Sequence, residues 1–285
     1  MIPAEFDYVK ATSVDQAVAA LAEHGDEAKV LGGGQSLLPL LRLRLSYPTV
    51  VVDVCKVDEM RGVRDEGDRI VIGSMTTHDE VLRDQLVRQH LPLLSETTQT
   101  VADPAVRHKG TFGGALAHAD PAGDLASVAV ALDATMRIAG PNGRREVAAS
   151  EFFVDYLQSV LEPDEVLVEV SLPKLGDGWG VHYEKFHRVA QAWAIVGVAA
   201  AVRRSNGSIT EARIGLTNMG STPVRARATE EALAGVPAEA AAVRSAAQKA
   251  DDGTEPPEDL NGKADYRRHL ARVLTARAVS KAAGI

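Results

Sequence analysis

Apolar and polar positions along this chain alternate between a helical and a strand-like spacing, and the changes of period divide it into short elements. Apolar residues recur at helical spacing between residues 17 and 22, which predicts an N-terminal helix. Ser13 precedes them as the expected N-cap, and Gln16 follows Ser13 at capping-box spacing. Gly25 can end this helix in the left-handed conformation.

Later elements follow from the same signals. Turn residues between paired apolar runs predict hairpins at Asp65–Asp68, Pro141–Gly143 and Ser205–Ser208. The predicted strands are Lys29–Leu31, Val50–Asp53, Arg61–Arg64, Arg69–Gly73, Thr135–Ile138, Arg144–Val147, Glu165–Pro173, Val196–Val202 and Ile209–Leu216. The further predicted helices run from Thr76 toward Leu86, over Glu230–Ala234, over Ala238–Ala250 and over Ala264–Ala283.

The terminal helix carries basic residues that are assigned to a solvated face rather than to a partner-docking surface. They are Arg267, Arg268, Arg272, Arg277 and Lys281. A polar, Gly-rich link at Lys174–Gly178 predicts a domain boundary. The mixture of helices and hairpins indicates an α+β fold.

Composition excludes several classes of protein. The chain has 285 residues, 45% hydrophobic content and a net charge of −8, which is sufficient for a sizeable core and argues against nucleic acid as a partner. No apolar run approaches a membrane span, and residues 1–7 lack the features of a signal peptide. The single cysteine, Cys55, excludes an internal disulfide and a cysteine-ligated cluster within the chain. The expected class is soluble, cytoplasmic and globular.

A first glycine loop, Gly32–Pro39, directly follows the predicted strand Lys29–Leu31. Backbone N–H groups in such a position can hold a phosphate. We consider a Rossmann unit as the rival interpretation, because Gly32 and Gly34 fit its first two glycines and Asp53 ends the next strand.

We reject the Rossmann interpretation on three grounds. Leu37 replaces the third glycine, and Pro39 lies where the crossover helix should run. In addition, too few residues separate Gly34 from Val50 for a full helix with its loops.

A second glycine loop, Thr111–Ala115, continues to Asp120–Asp124. Adjacent Gly113 and Gly114 permit a turn with positive φ and can bring their N–H groups against a ligand. Asp124 could accept hydrogen bonds from ligand hydroxyls. The alternative is a plain turn in which Asp124 caps the helix that follows. The alternative loses weight because the upstream loop has the same character.

The two loops together resemble those of the FAD-binding medium subunits of molybdenum hydroxylases, the carbon monoxide dehydrogenase and xanthine dehydrogenase family. These subunits typically carry A-G-G-x-S-L-L-P, and this chain has Gly32–Pro39 with Gly32 in place of Ala. They also carry T-I-G-G-N closing in D-P-A-x-D, matched by Thr111–Ala115 and Asp120–Asp124. Phe112 replaces Ile, and Ala115 replaces Asn with the loss of an amide donor. The resemblance covers nearly the whole chain.

The resemblance implies the fold and the site. It implies a two-subdomain FAD-binding region similar to that of vanillyl-alcohol oxidase and its relatives (PCMH-like), at residues 1–175, with subdomains at about 1–55 and 56–175. A smaller α+β domain of the carbon monoxide dehydrogenase flavoprotein type follows at 178–285. The implied cofactor-binding residues are Val30, Leu31, Gly32, Gly33, Gly34, Gln35, Ser36, Leu37, Thr111, Phe112, Gly113, Gly114, Ala115, Asp124, Leu167 and Lys185.

The resemblance also implies the function. FAD would be bound noncovalently, since neither loop contains a His or Cys suited to a covalent tether. It would take electrons from [2Fe–2S] clusters of a small partner subunit and pass them to NAD, a quinone or another acceptor. A large molybdopterin subunit would oxidise the substrate, so no residue here is assigned a catalytic or metal-binding role.

A dimer of such heterotrimers is expected, in the cytoplasm or held at the inner membrane face through the complex. The substrate stays open among carbon monoxide, purines, aldehydes and N-heterocycles. The alternatives are a self-contained FAD-dependent oxidase or dehydrogenase, and a non-catalytic FAD-binding assembly subunit.

Lys185, Leu167 and Trp193 have two interpretations each. Without the resemblance, Lys185 would be an ordinary surface lysine and Leu167 a core residue. Trp193 could pack near the flavin ring or lie in the core. His118 and His187 are assigned structural or surface roles, because nothing pairs them with a nucleophile or with metal-ligand spacing.

Overall fold

A computed structural model describes residues 2–285 of the chain. It has an α+β fold built on three larger β-sheets, which confirms the predicted class. The strands are β1 Asp7–Lys10, β2 Ala28–Leu31, β3 Val50–Asp53, β4 Val63–Asp65, β5 Arg69–Gly73, β6 Thr135–Gly140, β7 Gly143–Ala148, β8 Phe153–Asp155, β9 Gln158–Ser159, β10 Val166–Pro173, β11 Trp179–Phe186, β12 Val196–Ser205, β13 Ser208–Thr217 and β14 Val224–Arg225.

The helices connect and cover these sheets. They are α1 Val14–His24, α2 Leu37–Leu43, α3 His78–Arg83, α4 Gln85–His90, α5 Pro92–Gln99, α6 Pro104–Arg107, α7 Phe112–Ala117, α8 Asp124–Ala131, α9 Ala149–Phe152, α10 Arg227–Leu233, α11 Ala240–Ala246 and α12 Ala264–Ala283. Short 3₁₀ turns occupy Gly25–Glu27, Asp58–Met60 and Ala247–Lys249.

The first sheet is parallel and has the strand order β1-β3-β2. Helix α1 packs on it, with Ser13 accepting a hydrogen bond from the Gln16 N–H at its start and Gly25 at its end with φ of 53°. The side chain of Gln16 does not complete the capping box; its Oε1 accepts instead from the N–H and hydroxyl of Thr12. The predicted cap and stop are therefore confirmed, and only the reciprocal bond differs.

The connection from β2 to β3 contains a helix, so the argument that too few residues were available is wrong. Helix α2 fits because it is only seven residues long and carries Pro39 in its first turn, where a missing N–H costs no helical hydrogen bond. Asp53 does not serve a ribose: it accepts hydrogen bonds from the Tyr8 hydroxyl and, at 2.7 Å, from the Cys55 N–H.

The second sheet is antiparallel, with the order β4-β5-β10-β6-β7. Both predicted hairpins, β4–β5 and β6–β7, are confirmed, and β10 lies between them as the central strand. Helices α3, α4, α5, α7 and α8 bury apolar side chains against this sheet in the largest core cluster. This packing fixes the ends of the loops that join the sheet to the helices.

The predicted helix from Thr76 toward Leu86 is interrupted. Thr77 caps α3 in a complete capping box with Glu80. Asp84 then has extended backbone, and its carboxylate accepts hydrogen bonds from Leu86 and Val87 as the N-cap of α4. A second good N-cap residue therefore starts a new helix within what sequence periodicity predicts as one.

The third sheet, with the order β11-β12-β13-β14, is antiparallel and contains the predicted hairpin at Ser205–Ser208. Helix α12 packs across it and has the predicted bounds. The solvated-face assignment is wrong for Arg267, which is 0% exposed. Its guanidinium donates to the Ile195 carbonyl at 2.5 Å and pairs with Asp259 at 2.7 Å. Within residues 2–285, no helix is both long and apolar enough to cross a membrane.

Candidate functional site

A cavity of about 740 Å³ lies between the ends of β2, α7, β10 and β11. Fourteen of the sixteen predicted cofactor-binding residues line it. The other two, Leu31 and Phe112, do not. Leu31 follows Val30 in a strand and so faces the opposite side, and Phe112 is fully buried in the core. The fold therefore gathers residues from five separate stretches of sequence around one space.

The first glycine loop offers a row of free donors to this cavity. Among residues 2–285, none of the six backbone N–H groups from Gly32 to Leu37 donates a hydrogen bond to another group of the protein. All six residues line the cavity. Consecutive N–H groups that converge on one concavity form an anion-binding site. The loop therefore has the unpartnered donors that an anion-binding site requires.

Close packing explains the glycines of this loop. A Cβ on Gly33 would lie 2.1 Å from the Lys109 carbonyl oxygen, and one on Gly32 would lie 2.8 Å from Met75 Cε. Gly34 has φ of +74°, a conformation that favours glycine. The loop is therefore held against the segment that leads into the second glycine loop.

The second glycine loop uses its donors within the protein. The bonds run from Phe112 to Thr76 O (2.9 Å), from Gly113 to Ser74 O (2.9 Å), from Gly114 to Thr111 Oγ1 (3.2 Å) and from Ala115 to Thr111 O (3.0 Å). The prediction that these N–H groups form an anion site is wrong, because each already has a partner. Neither Gly113 nor Gly114 has positive φ; both lie in the first turn of α7.

Asp124 closes the second loop and lies in a buried polar network. It is the first residue of α8, after Gly123, so the alternative in which it caps that helix is wrong. Its Oδ2 accepts from Lys185 Nζ at 2.7 Å and its Oδ1 from the Tyr183 hydroxyl at 2.7 Å. Lys185 also donates to the Thr100 carbonyl at 3.1 Å. The network joins α8 to strand β11.

The electrostatics of this network follow from its burial. The side chains of Asp124 and Lys185 are each 4% exposed, so the surface-lysine interpretation is wrong. Burial raises the pKa of the Asp124 carboxyl, and the adjacent ammonium of Lys185 opposes that rise. Burial and the nearby Asp124 carboxylate raise the pKa of Tyr183 well above its ordinary value, which keeps the phenol protonated as a donor.

Leu167 and Trp193 also line the cavity, in different ways. Leu167 is buried in the core, as expected without the resemblance, and it also lines the cavity. Trp193 is 56% exposed, which contradicts a core role. It lies between this cavity and a second one of about 650 Å³. His118 lines the first cavity.

Sequence reasoning missed three groups that help to form the site. Tyr183 donates a hydrogen bond to Asp124. Ser74, after β5, and His78, at the start of α3, line the cavity. Residues 157–159, 161 and 162 line it from the β8–β9 hairpin and the loop that follows. The only available signal was the polar run Ser74–His78 directly after a buried strand.

Both halves of the chain match described families. Residues 4–175 match the FAD binding domain in molybdopterin dehydrogenase, and residues 181–282 match the CO dehydrogenase flavoprotein C-terminal domain. The chain therefore belongs to this family of FAD-binding proteins and is a flavoprotein subunit of a molybdenum-containing oxidoreductase.

Relatives match over nearly their full length. The medium chain of carbon monoxide dehydrogenase from Hydrogenophaga pseudoflava is 40% identical, over 99% of this chain and 98% of the relative. The alpha subunit of the 6-hydroxypseudooxynicotine dehydrogenase complex from Paenarthrobacter nicotinovorans is 37% identical, over 99% of this chain and 96% of the relative. A solved structure of the Hydrogenophaga carbon monoxide dehydrogenase that lacks the Mo-pyranopterin moiety superposes with a TM-score of 0.96 and 42% identity, over 99% and 98%.

Proposed function

We propose that this chain binds FAD noncovalently in the 740 Å³ cavity and transfers electrons between an iron–sulfur partner subunit and an external acceptor. The observation that carries the proposal is the row of six free N–H groups in a chain of an FAD-binding family. These groups would receive the pyrophosphate of the cofactor. The size of the cavity lies within the range for cofactor sites.

The protein's own part is to bind and orient the cofactor. Residues 32–37 would hold the phosphates, and Gly113 and Gly114 of α7 line the same cavity. Asp124, Lys185 and Trp193 lie along the same cavity. Bound FAD supplies the redox chemistry, and the surrounding residues supply position and electrostatics.

Noncovalent binding is supported by the state of the one cysteine. Cys55 lies beside the first loop, where its thiol donates to the Gly32 carbonyl at 3.0 Å. Burial, with Asp53 next to it, raises the pKa of this thiol to about 11. It therefore stays protonated near neutral pH and is a poor nucleophile toward a flavin.

We propose that the partners are a small [2Fe–2S] subunit and a large molybdopterin subunit, assembled as a dimer of heterotrimers. The names of the relatives, a medium chain and a subunit of a complex, support assembly. Exposed apolar side chains at the end of the first loop and directly after it also support assembly; they are Leu38, Leu43, Leu45 and Tyr47. The acceptor would be NAD, a quinone or another oxidant.

We propose the domain boundaries 1–175 and 178–285, with subdomains at about 1–55 and 56–175. The family matches at 4–175 and 181–282 support the division, as do the three sheets, which use separate parts of the chain. The cytoplasm, or the inner membrane face through the complex, is the proposed location.

Purification from the native host tests the proposal. Native mass spectrometry should find this chain with an iron–sulfur subunit and a molybdenum subunit, and acid precipitation should release FAD into the supernatant. This chain found with FAD alone would favour a self-contained oxidase and contradict the assembly. Flavin that stays on the precipitated polypeptide, or a preference for FMN, would contradict the proposed cofactor site.

A further inference from the structure

The segment 74–78 comprises the connection between β5 and α3 and the first residue of α3. It forms part of the cavity wall and contacts both glycine loops. The carbonyl of Ser74 accepts from the Gly113 N–H at 2.9 Å, and that of Thr76 from the Phe112 N–H at 2.9 Å. The His78 N–H donates to the Gly110 carbonyl at 2.9 Å. Met75 packs beside Gly32 of the first loop. The backbone of this segment is thus fixed between the two loops.

Two side chains of this segment have buried polar atoms without a partner. Ser74 is 1% exposed and His78 is 4% exposed, and both line the cavity. Among residues 2–285, neither the Ser74 hydroxyl nor the His78 Nδ1 has a hydrogen-bond partner. Buried polar groups in native proteins are nearly always hydrogen-bonded, so two orphans on one cavity wall require an explanation.

Neighbouring buried hydroxyls show the usual pattern. Thr97 donates to the Leu93 carbonyl at 2.8 Å, and Thr98 donates to the Leu94 carbonyl at 2.7 Å. Thr229 and Thr275 do have unpartnered buried hydroxyls, but they line neither cavity. It is the combination of an unpartnered atom with a place on the cavity wall that distinguishes Ser74 and His78.

The chemistry of the two side chains narrows what they would bind. Burial, with the charge of Arg107 added, lowers the pKa of His78 to about 4, so the imidazole is neutral near pH 7. A neutral imidazole and a hydroxyl each both donate and accept hydrogen bonds. Such a pair suits uncharged polar atoms, whereas the free N–H row of the first loop suits phosphate.

We propose that Ser74 and His78 form a third cofactor-binding segment, in which their side chains hydrogen-bond to uncharged polar atoms of FAD. This rests on the proposed function, in which FAD occupies the cavity. On this proposal the unpartnered groups cost stability in the flavin-free protein, and FAD binding recovers that cost as affinity by giving them partners.

The test first removes the flavin from the purified complex. The affinity of the chain for FAD is then measured by titration. Ser74→Ala and His78→Leu should each weaken binding about tenfold, the size expected for one buried hydrogen bond. His78→Gln, which keeps a donor and an acceptor, should retain more affinity than His78→Leu. Thr275→Val is the matched control, because it removes an unpartnered buried hydroxyl away from the cavity, and its FAD affinity should equal that of the wild type.

Thermal melting of the flavin-free proteins provides a second readout. Ser74→Ala should melt no lower than the wild type, since it removes a hydroxyl that has no partner in the apo-protein. It should, however, gain less stability from added FAD. If His78→Leu does not fold, Ser74→Ala decides the matter alone.

Equal FAD affinity in Ser74→Ala and the wild type would overturn the inference while leaving the proposed function intact. A wild-type complex that binds no FAD would instead overturn the proposed function.

Discussion

The two glycine loops look alike in the sequence, yet the fold uses them in opposite ways. The six N–H groups of residues 32–37, on the cavity wall, have no hydrogen-bond partner within the described part of the chain, residues 2–285. From Phe112 to Ala115, every N–H group has a partner in the protein, and the glycines lie inside a helical turn. The first loop has donors available for a ligand, whereas the second packs closely against the Ser74–Thr76 backbone.

The difference arises from what lies behind each loop. The first loop leaves the end of a parallel strand and enters a short helix. No neighbouring segment among residues 2–285 therefore supplies acceptors for its N–H groups. The second crosses the Ser74–Thr76 backbone, which accepts its hydrogen bonds. A Cβ on Gly113 would lie 2.2 Å from Ser74 Cβ, so glycine is needed there for packing. A pair of adjacent glycines therefore does not by itself indicate free donors.

The largest effect should come from breaking the ion pair that closes the second loop. In Lys185→Met, the buried Asp124 carboxylate loses its cation, and we expect the free energy of unfolding to fall by about 3–5 kcal/mol. Urea unfolding of the variant measures the loss. The double variant Asp124→Asn/Lys185→Met should recover part of it, since no uncompensated charge remains. A single variant as stable as the wild type would contradict the role assigned to the pair.

A smaller effect should follow from adding one methyl group to the second loop. Gly113→Ala forces α7 away from Ser74, and we expect a loss of about 3 kcal/mol, at the upper end for overpacking. The loss should be present without flavin, because it comes from packing. Gly176→Ala is the control: Gly176 has no positive φ and no atom within 4 Å of its added Cβ, so this variant should keep the stability of the wild type. A variant of Gly113 that loses FAD but keeps full apo stability would show that this loop serves the ligand after all.

The smallest expected effect is a change in the exchange rates of single backbone amides. It is also the sharpest test of the difference between the two loops. Without FAD, residues 32–37 should exchange fast and residues 112–115 slowly, because only the second set is hydrogen-bonded. Added FAD should slow the first set at least tenfold and change the second set little. Equal protection of both loops by FAD would show that the distinction drawn here between their N–H groups is wrong.

Local signals in the sequence determined much of the fold. The bounds of α12, the turn at Ser205–Ser208 and the caps of α1 follow from period and turn chemistry, which involve residues close in the chain. The two glycine loops also stand out locally, and with the family resemblance they pointed to sixteen residues, most of which line the cavity.

Only the tertiary structure decided which polar groups have partners. Periodicity placed Arg267 on a solvated face. In the fold it is buried, where it pairs with the Asp259 carboxylate and donates a hydrogen bond to the Ile195 carbonyl. Tertiary structure also decides that the N–H groups of the first loop lack partners and that those of the second loop have them. It likewise leaves the Ser74 hydroxyl and the His78 Nδ1 without partners among residues 2–285. Whether a donor or acceptor is satisfied depends on groups distant in sequence, and no local pattern along the chain records where they come to lie.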